Sequence, residues 1–128
     1  MIEQDEILQW LKKAEDDLAA GKAIIDMSAP AWTACFHAQQ SAEKSLKAAQ
    51  IFFLKDLQKE HDLEILLNSL KSYLNTETIR QEAVQLTDYY VATRYPGVKE
   101  SELTLQDASE AMKRAENILN FIKQQIQK

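Results

Sequence analysis

The chain has 128 residues, with 15 Lys and Arg against 20 Asp and Glu, a net charge of −5 at pH 7. That length fits one domain with a substantial core, and the acidic balance argues against broad nonspecific binding to nucleic-acid backbone while leaving room for a local basic patch. Gly and Pro number two each, so turns are scarce and the elements should be few and long.

The first helix is expected from about Asp5 to Met27. Ile7, Leu11, Ala14, Leu18, Gly21 and Ile25 recur by fours and threes and form one apolar stripe. Gly21 lies within that stripe and marks a close backbone approach. Ser28-Ala29-Pro30 is the first turn, with Pro30 suited to the first position of the next helix.

The second helix runs to about Leu54 and is the centre of the chain. Small residues recur at Ala31, Cys35, Ala38, Ala42, Ser45 and Ala49, a seam that lets a neighbouring helix come close. Trp32, Phe36, Gln40, Glu43 and Lys47 form a second, mixed stripe beside it. Cys35 reads as a small buried apolar residue. As the single cysteine it excludes an internal disulfide and suits a reducing, cytoplasmic setting.

A polar connection from Lys55 to Glu60 leads to a third helix that opens at His61-Asp62, with Asp62 as N-cap. It continues on the stripe Leu63, Leu66, Leu67, Leu70 and Leu74. Asn75-Thr76 is a stop and a new start. The fourth helix covers about Glu77 to Thr93, with Ile79, Ala83, Leu86, Tyr90 and Thr93 on one face. It ends at Arg94-Tyr95-Pro96-Gly97, where Pro96 pushes Tyr95 out of helical angles. Thr104 and Asp107 resemble a capping box. A fifth helix then follows on Leu105, Ala108, Ala111, Ala115, Ile118, Ile122 and Ile126. The expected class is all-α: an antiparallel bundle of four long helices plus one short one, in a single domain over residues 1–128. The acidic start Met-Ile-Glu-Gln-Asp-Glu is unlike a signal peptide, and no apolar run approaches the roughly 20 residues of a membrane span.

Metal and nucleophile chemistry find little support. His37 and His61 are the only histidines, and neither pairs with another ligand at metal-binding spacing. No Gly-rich phosphate loop or nucleophile elbow exists. What remains is a polar set: Gln40, Glu43, Lys44 and Lys47 on the second helix, His61 at the start of the third, and Tyr90, Arg94 and Tyr95 at the end of the fourth. An Arg in this setting binds phosphate or carboxylate by bidentate donation. Taken singly, each residue also reads as solvated surface or a helix cap.

Three blocks carry a resemblance. They are Phe36-His37-Ala38-Gln39-Gln40-Ser41-Ala42-Glu43-Lys44-Ser45-Leu46-Lys47-Ala48, then His61-Asp62-Leu63, then Arg94-Tyr95-Pro96. In order and separation the chain resembles the HEPN domain family (higher eukaryotes and prokaryotes nucleotide-binding). The resemblance implies a bundle of four or five helices, frequent dimerisation, and either nucleotide-related binding or RNA cleavage. Ribonuclease members carry an Arg followed four to six residues later by a His. Here Tyr95 to Glu100 follow Arg94 with no His, which removes the expected general base.

The expectation is therefore a non-catalytic module that binds a nucleotide or other phosphate-bearing ligand. Alternatively or in addition, it partners a separately encoded small nucleotidyltransferase in a toxin–antitoxin-like pair. Arg94 with Lys47 or Lys44 would hold phosphate, Gln40 would donate hydrogen bonds, Tyr90 or Tyr95 would stack on a base, and His61 would position the ligand. Such a site needs no cofactor or metal of its own. The alternatives are a metal-independent ribonuclease using Arg94 and His61, and a purely structural dimerisation module. Gln40, Lys47, His61 and Arg94 are expected to converge. Exposure of Trp10, Trp32 or Phe53 is expected to drive homodimer or heteromer formation.

Overall fold

Small side chains on one helix decide where the others lie. A computed structural model describes residues 2–94 and 103–127, with side chains over 4–89 and 103–127. Its helices are α1 (Ile2–Asp26), α2 (Ala31–Leu54), α3 (Leu63–Asn68), α4 (Glu77–Arg94) and α5 (Leu105–Gln127), and no strand occurs among the described residues. α1 and α5 pack along α2, α4 packs on α2 and α5, and α3 bridges α2 and α4. Ala34, Cys35, Ala38, Ala42, Ala48 and Ala49 are wholly buried. With so little side-chain volume on α2, neighbouring backbones come close enough for Ser41 Oγ to donate to the Ala14 carbonyl of α1 at 2.8 Å. The remaining volume is filled by Leu and Ile from the other four helices, including Leu18, Leu63, Leu66, Leu86, Ile118 and Ile122.

Gly21 behaves as its place in the stripe predicts. A Cβ there would lie 2.3 Å from Met112 Cε on α5, so the glycine is the space into which that methionine fits.

The helix ends follow local chemistry. After α1, Ser28 takes a left-handed conformation with φ 55°. Ala29 N–H donates to Ile24 O and Ser28 N–H to Ile25 O, both at 3.0 Å, which satisfies carbonyls that the helix would otherwise leave open. Pro30 is the N-cap of α2 rather than its first helical residue, and its carbonyl accepts from Thr33 N at 3.1 Å and Thr33 Oγ1 at 2.6 Å. Asp62 caps α3, accepting from Glu64 N and Ile65 N at 2.9 and 3.1 Å. Thr104 and Asp107 form a reciprocal box, with bonds of 2.9 and 3.0 Å.

Two further expectations are corrected. The third helix was expected to carry the whole leucine stripe, yet α3 ends at Asn68 and residues 69–74 tighten into turns closed by bonds such as Leu70 N to Leu67 O at 2.9 Å. The cause is Ser69: its Oγ donates to the Leu66 carbonyl at 2.5 Å and accepts from the buried Gln50 Nε2 at 3.0 Å. Leu70 and Leu74 stay buried all the same, because tighter turns still return them to the core side. Second, Trp10, Trp32 and Phe53 are half-buried rather than exposed. Trp10 lies under the Lys47 ammonium, 5.7 Å from the ring centroid, and Phe53 packs on Phe52 and Tyr73. Among the described residues the large apolar side chains that face solvent are Leu8, Met27, Leu57, Ile65, Tyr73 and Leu105.

Two measurements test this packing. Ala38→Leu overfills the seam and should lower unfolding free energy by about 1–3 kcal/mol; an unchanged denaturant midpoint would show that the seam has slack. Burial pushes the Cys35 thiol up to about 12, and the thiolate is the reactive form. A chromogenic thiol reagent at pH 8 should therefore leave native Cys35 unmodified and label it fully in denaturant.

Candidate functional site

The mixed stripe of α2 is the origin of the site. Positions 39, 43 and 47 recur by fours, so their side chains stack along the side of α2 next to the segment before α3. Glu43 sits at the middle and is 5% exposed. A carboxylate out of water needs donors, or its desolvation is uncompensated. It has three. Lys47 Nζ donates to Oε2 at 3.1 Å, His61 Nδ1 to the same oxygen at 3.0 Å, and Gln39 Nε2 to Oε1 at 3.4 Å. Lys47 is itself 8% exposed, an unusual depth for a lysine. It is held there by Glu43 one turn back and by the face of Trp10 from α1.

Gln39 ties the cluster to the backbone. Its Nε2 also donates to the His61 carbonyl at 3.3 Å, and its Oε1 accepts from Gln40 Nε2 at 2.9 Å. The entry to α3 is thus pinned at both the carbonyl and the ring of His61. An ionised carboxylate can only accept, so the bond to Glu43 puts a proton on Nδ1 of His61 and fixes the ring's orientation. The imidazole is 56% exposed, which makes it the outer edge of an otherwise buried group. Just before it, Glu60 accepts from the backbone N–H groups of Asp62 and His61, and these bonds hold its carboxyl below the usual range.

Of the residues singled out from sequence, Glu43, Lys47 and His61 therefore meet, and Gln40 is joined to them only through Gln39. Lys44 goes elsewhere. Its Nζ donates to Asp17 Oδ2 of α1 at 2.5 Å, and the other carboxylate oxygen accepts from His37 Nδ1 at 2.9 Å. Tyr90 and Arg94 belong to the last turns of α4, but their side chains lie outside the described residues, as does the whole of Tyr95. The expected approach of Arg94 to Gln40 and Lys47 falls on those residues too.

Gln39, Asp17 and Trp10 escaped the sequence reading as site residues. A signal was present for two of them: Trp10, Ala14, Asp17 and Gly21 recur by 4, 3 and 4, so Asp17 interrupts a core-facing stripe where an acid needs a partner. For Gln39 no such signal exists, because a glutamine on a helix reads as surface. Among the described residues no group of three His, Cys, Asp or Glu side chains is placed to hold a metal ion, and no helix is long and apolar enough to cross a membrane.

Comparison with known proteins adds three findings. The profile of the HEPN domain family matches residues 7–125. A solved structure from Thermus thermophilus, TT1696, superposes with a TM-score of 0.81 at 29% identity, covering 93% of this chain and 97% of that one. ST0689, described as an archaeal HEPN homologue, superposes with a TM-score of 0.76 at 29% identity, covering 94% of this chain and 97% of that one. No curated protein matches the chain.

Because Glu43 and Lys47 are buried together, they should fail non-additively. Glu43→Leu strands the Lys47 ammonium and should cost about 3 kcal/mol, whereas Glu43→Leu combined with Lys47→Met should recover most of that loss. Additive losses in urea titrations of the three variants would show that the two charges do not depend on each other.

Proposed function

The chain belongs to the HEPN domain family, and from that premise we propose a non-catalytic module that binds a nucleotide or another phosphate-bearing ligand at the Glu43 cluster. The observation that carries this reading is the geometry around Glu43. One buried carboxylate organises a lysine, a glutamine and a histidine, and the histidine reaches the surface. In this reading His61 meets the ligand and Lys47 supplies positive potential from below. Gln40, whose amide has a second N–H beyond the one given to Gln39, adds a donor. Arg94 grips phosphate by bidentate donation, and Tyr90 or Tyr95 stacks on the base. A separately encoded nucleotidyltransferase would use the same face as its docking surface or deliver the nucleotide to it.

The test is ligand-induced thermal stabilisation, because a ligand that binds the native state raises its melting temperature. AMP or ATP at 100 times its Kd should stabilise the parent by about 2.7 kcal/mol. Arg94→Ala and His61→Ala should each abolish the shift while leaving the helical circular dichroism unchanged. If no nucleotide moves the parent, a structural dimerisation module takes the place of this reading.

One observation favours a second reading. An imidazole oriented by a carboxylate is an arrangement suited to general base catalysis, and His61 with Glu43 has it. A metal-independent ribonuclease would then use His61 in place of the histidine missing after Arg94. Cleavage of RNA by the parent in EDTA, lost in His61→Ala, would establish this reading over the non-catalytic one.

A further inference from the structure

The chain's two histidines are built into the same device. In each, a buried carboxylate accepts from an imidazole Nδ1–H and from a lysine of α2. One unit is Glu43 with His61 and Lys47. The other is Asp17 with His37 and Lys44, in which the side chains are 11%, 29% and 24% exposed. The function proposed above uses only the first. In the second, both carboxylate oxygens are occupied, and among the described residues Nε2 of His37 takes no hydrogen bond. The ring is braced edge-on by Phe36, with centroids 5.5 Å apart. A lone lysine would suffice to neutralise Asp17. The imidazole adds a nitrogen of fixed direction at the surface.

The α2 members of both units that flank Gln40 lie on one strip. At about 100° per residue, His37, Gln40, Lys44 and Lys47 fall within roughly 80° of one another around α2. At about 1.5 Å per residue, His37 and Lys47 are roughly 15 Å apart along the axis. We infer that this strip binds an anion with at least two linked phosphoryl groups, one at the Glu43 unit and a second at Lys44 and His37. The inference rests on the phosphate-binding reading above and specifies its ligand. In its imidazolium form His37 donates Nδ1–H to Asp17 and Nε2–H to the phosphoryl oxygen. With Lys44 the unit then carries two positive charges against one negative. A mononucleotide, with its phosphate at one end, engages only one unit. A short phosphodiester-linked oligonucleotide and a linear polyphosphate share the chemistry that engages both.

Titration calorimetry separates the cases with three probes: AMP, the 5′-phosphorylated trinucleotide pApApA, and linear inorganic polyphosphate. The parent should bind at least one of the longer probes about tenfold more tightly than AMP. For the trinucleotide, log Kd should also change more steeply with log salt, by about 0.7 for each added phosphate contact. Tighter trinucleotide binding identifies an oligonucleotide, and tighter polyphosphate binding alone identifies a phosphate chain. His37→Gln should erase the advantage and leave AMP affinity unchanged. Lys44→Met should likewise erase the advantage and serves if His37→Gln fails to fold. Longer probes that bind no better than AMP, or an advantage that survives both variants, overturn this inference and leave the mononucleotide reading standing. A parent that binds none of the three probes overturns both.

Discussion

The burial of α2 is the constraint on which the rest of the structure depends. The helix is covered over most of its circumference by α1, α4 and α5, and its small seam makes that approach possible. Such coverage leaves almost no water for the polar side chains on its covered faces. Gln39, Ser41, Glu43, Ser45, Lys47 and Gln50 are all buried, and each must find a partner or cost the full desolvation of its polar atoms. Each does, and among the described residues no buried side-chain nitrogen or oxygen lacks a hydrogen bond. Ser41 turns to α1, Ser45 bonds back to its own helix, and Gln50 reaches Gln58 and Ser69.

Those partners explain the features around α2 that look irregular. The segment between α2 and α3 has no regular structure of its own, yet it is fastened twice. Gln50 holds it at Gln58, and Gln39 and Glu43 hold it at His61. The shortness of α3 has the same origin, since Ser69 Oγ, held by Gln50, occupies the Leu66 carbonyl and the Leu70 N–H goes to Leu67 instead. Polar groups on the central helix therefore shape the loops.

The same accounting bears on why charges are buried here at all. A buried ion pair is a poor source of stability, because well-packed apolar residues of equal volume do as well or better. The exposed pairs that link α1 to α5, Lys22 with Glu116 and Lys123 with Glu15, add little. The apolar core of Ala, Leu and Ile is built without Glu43 and Lys47.

The sequence by itself determined the helices, their order and most of their ends. Periodicity, caps and turn residues are local, and local rules suffice when Gly and Pro are rare and each helix carries one apolar stripe. The polar set on α2 was legible as a set for the same reason: Gln40, Glu43 and Lys47 recur at helical spacing. Tertiary structure decided which of them act together. Lys44 and Lys47 are three residues apart and alike in sequence, yet Lys47 pairs with Glu43 one turn back on its own helix, while Lys44 crosses to Asp17 of α1. The crossing of α1 over α2 decides the second choice, and no spacing within a helix records it. The half-burial of Trp10 under Lys47, the role of Gln39 and the early end of α3 all follow from contacts between residues 19 to 37 positions apart, and only the assembled bundle brings those residues together.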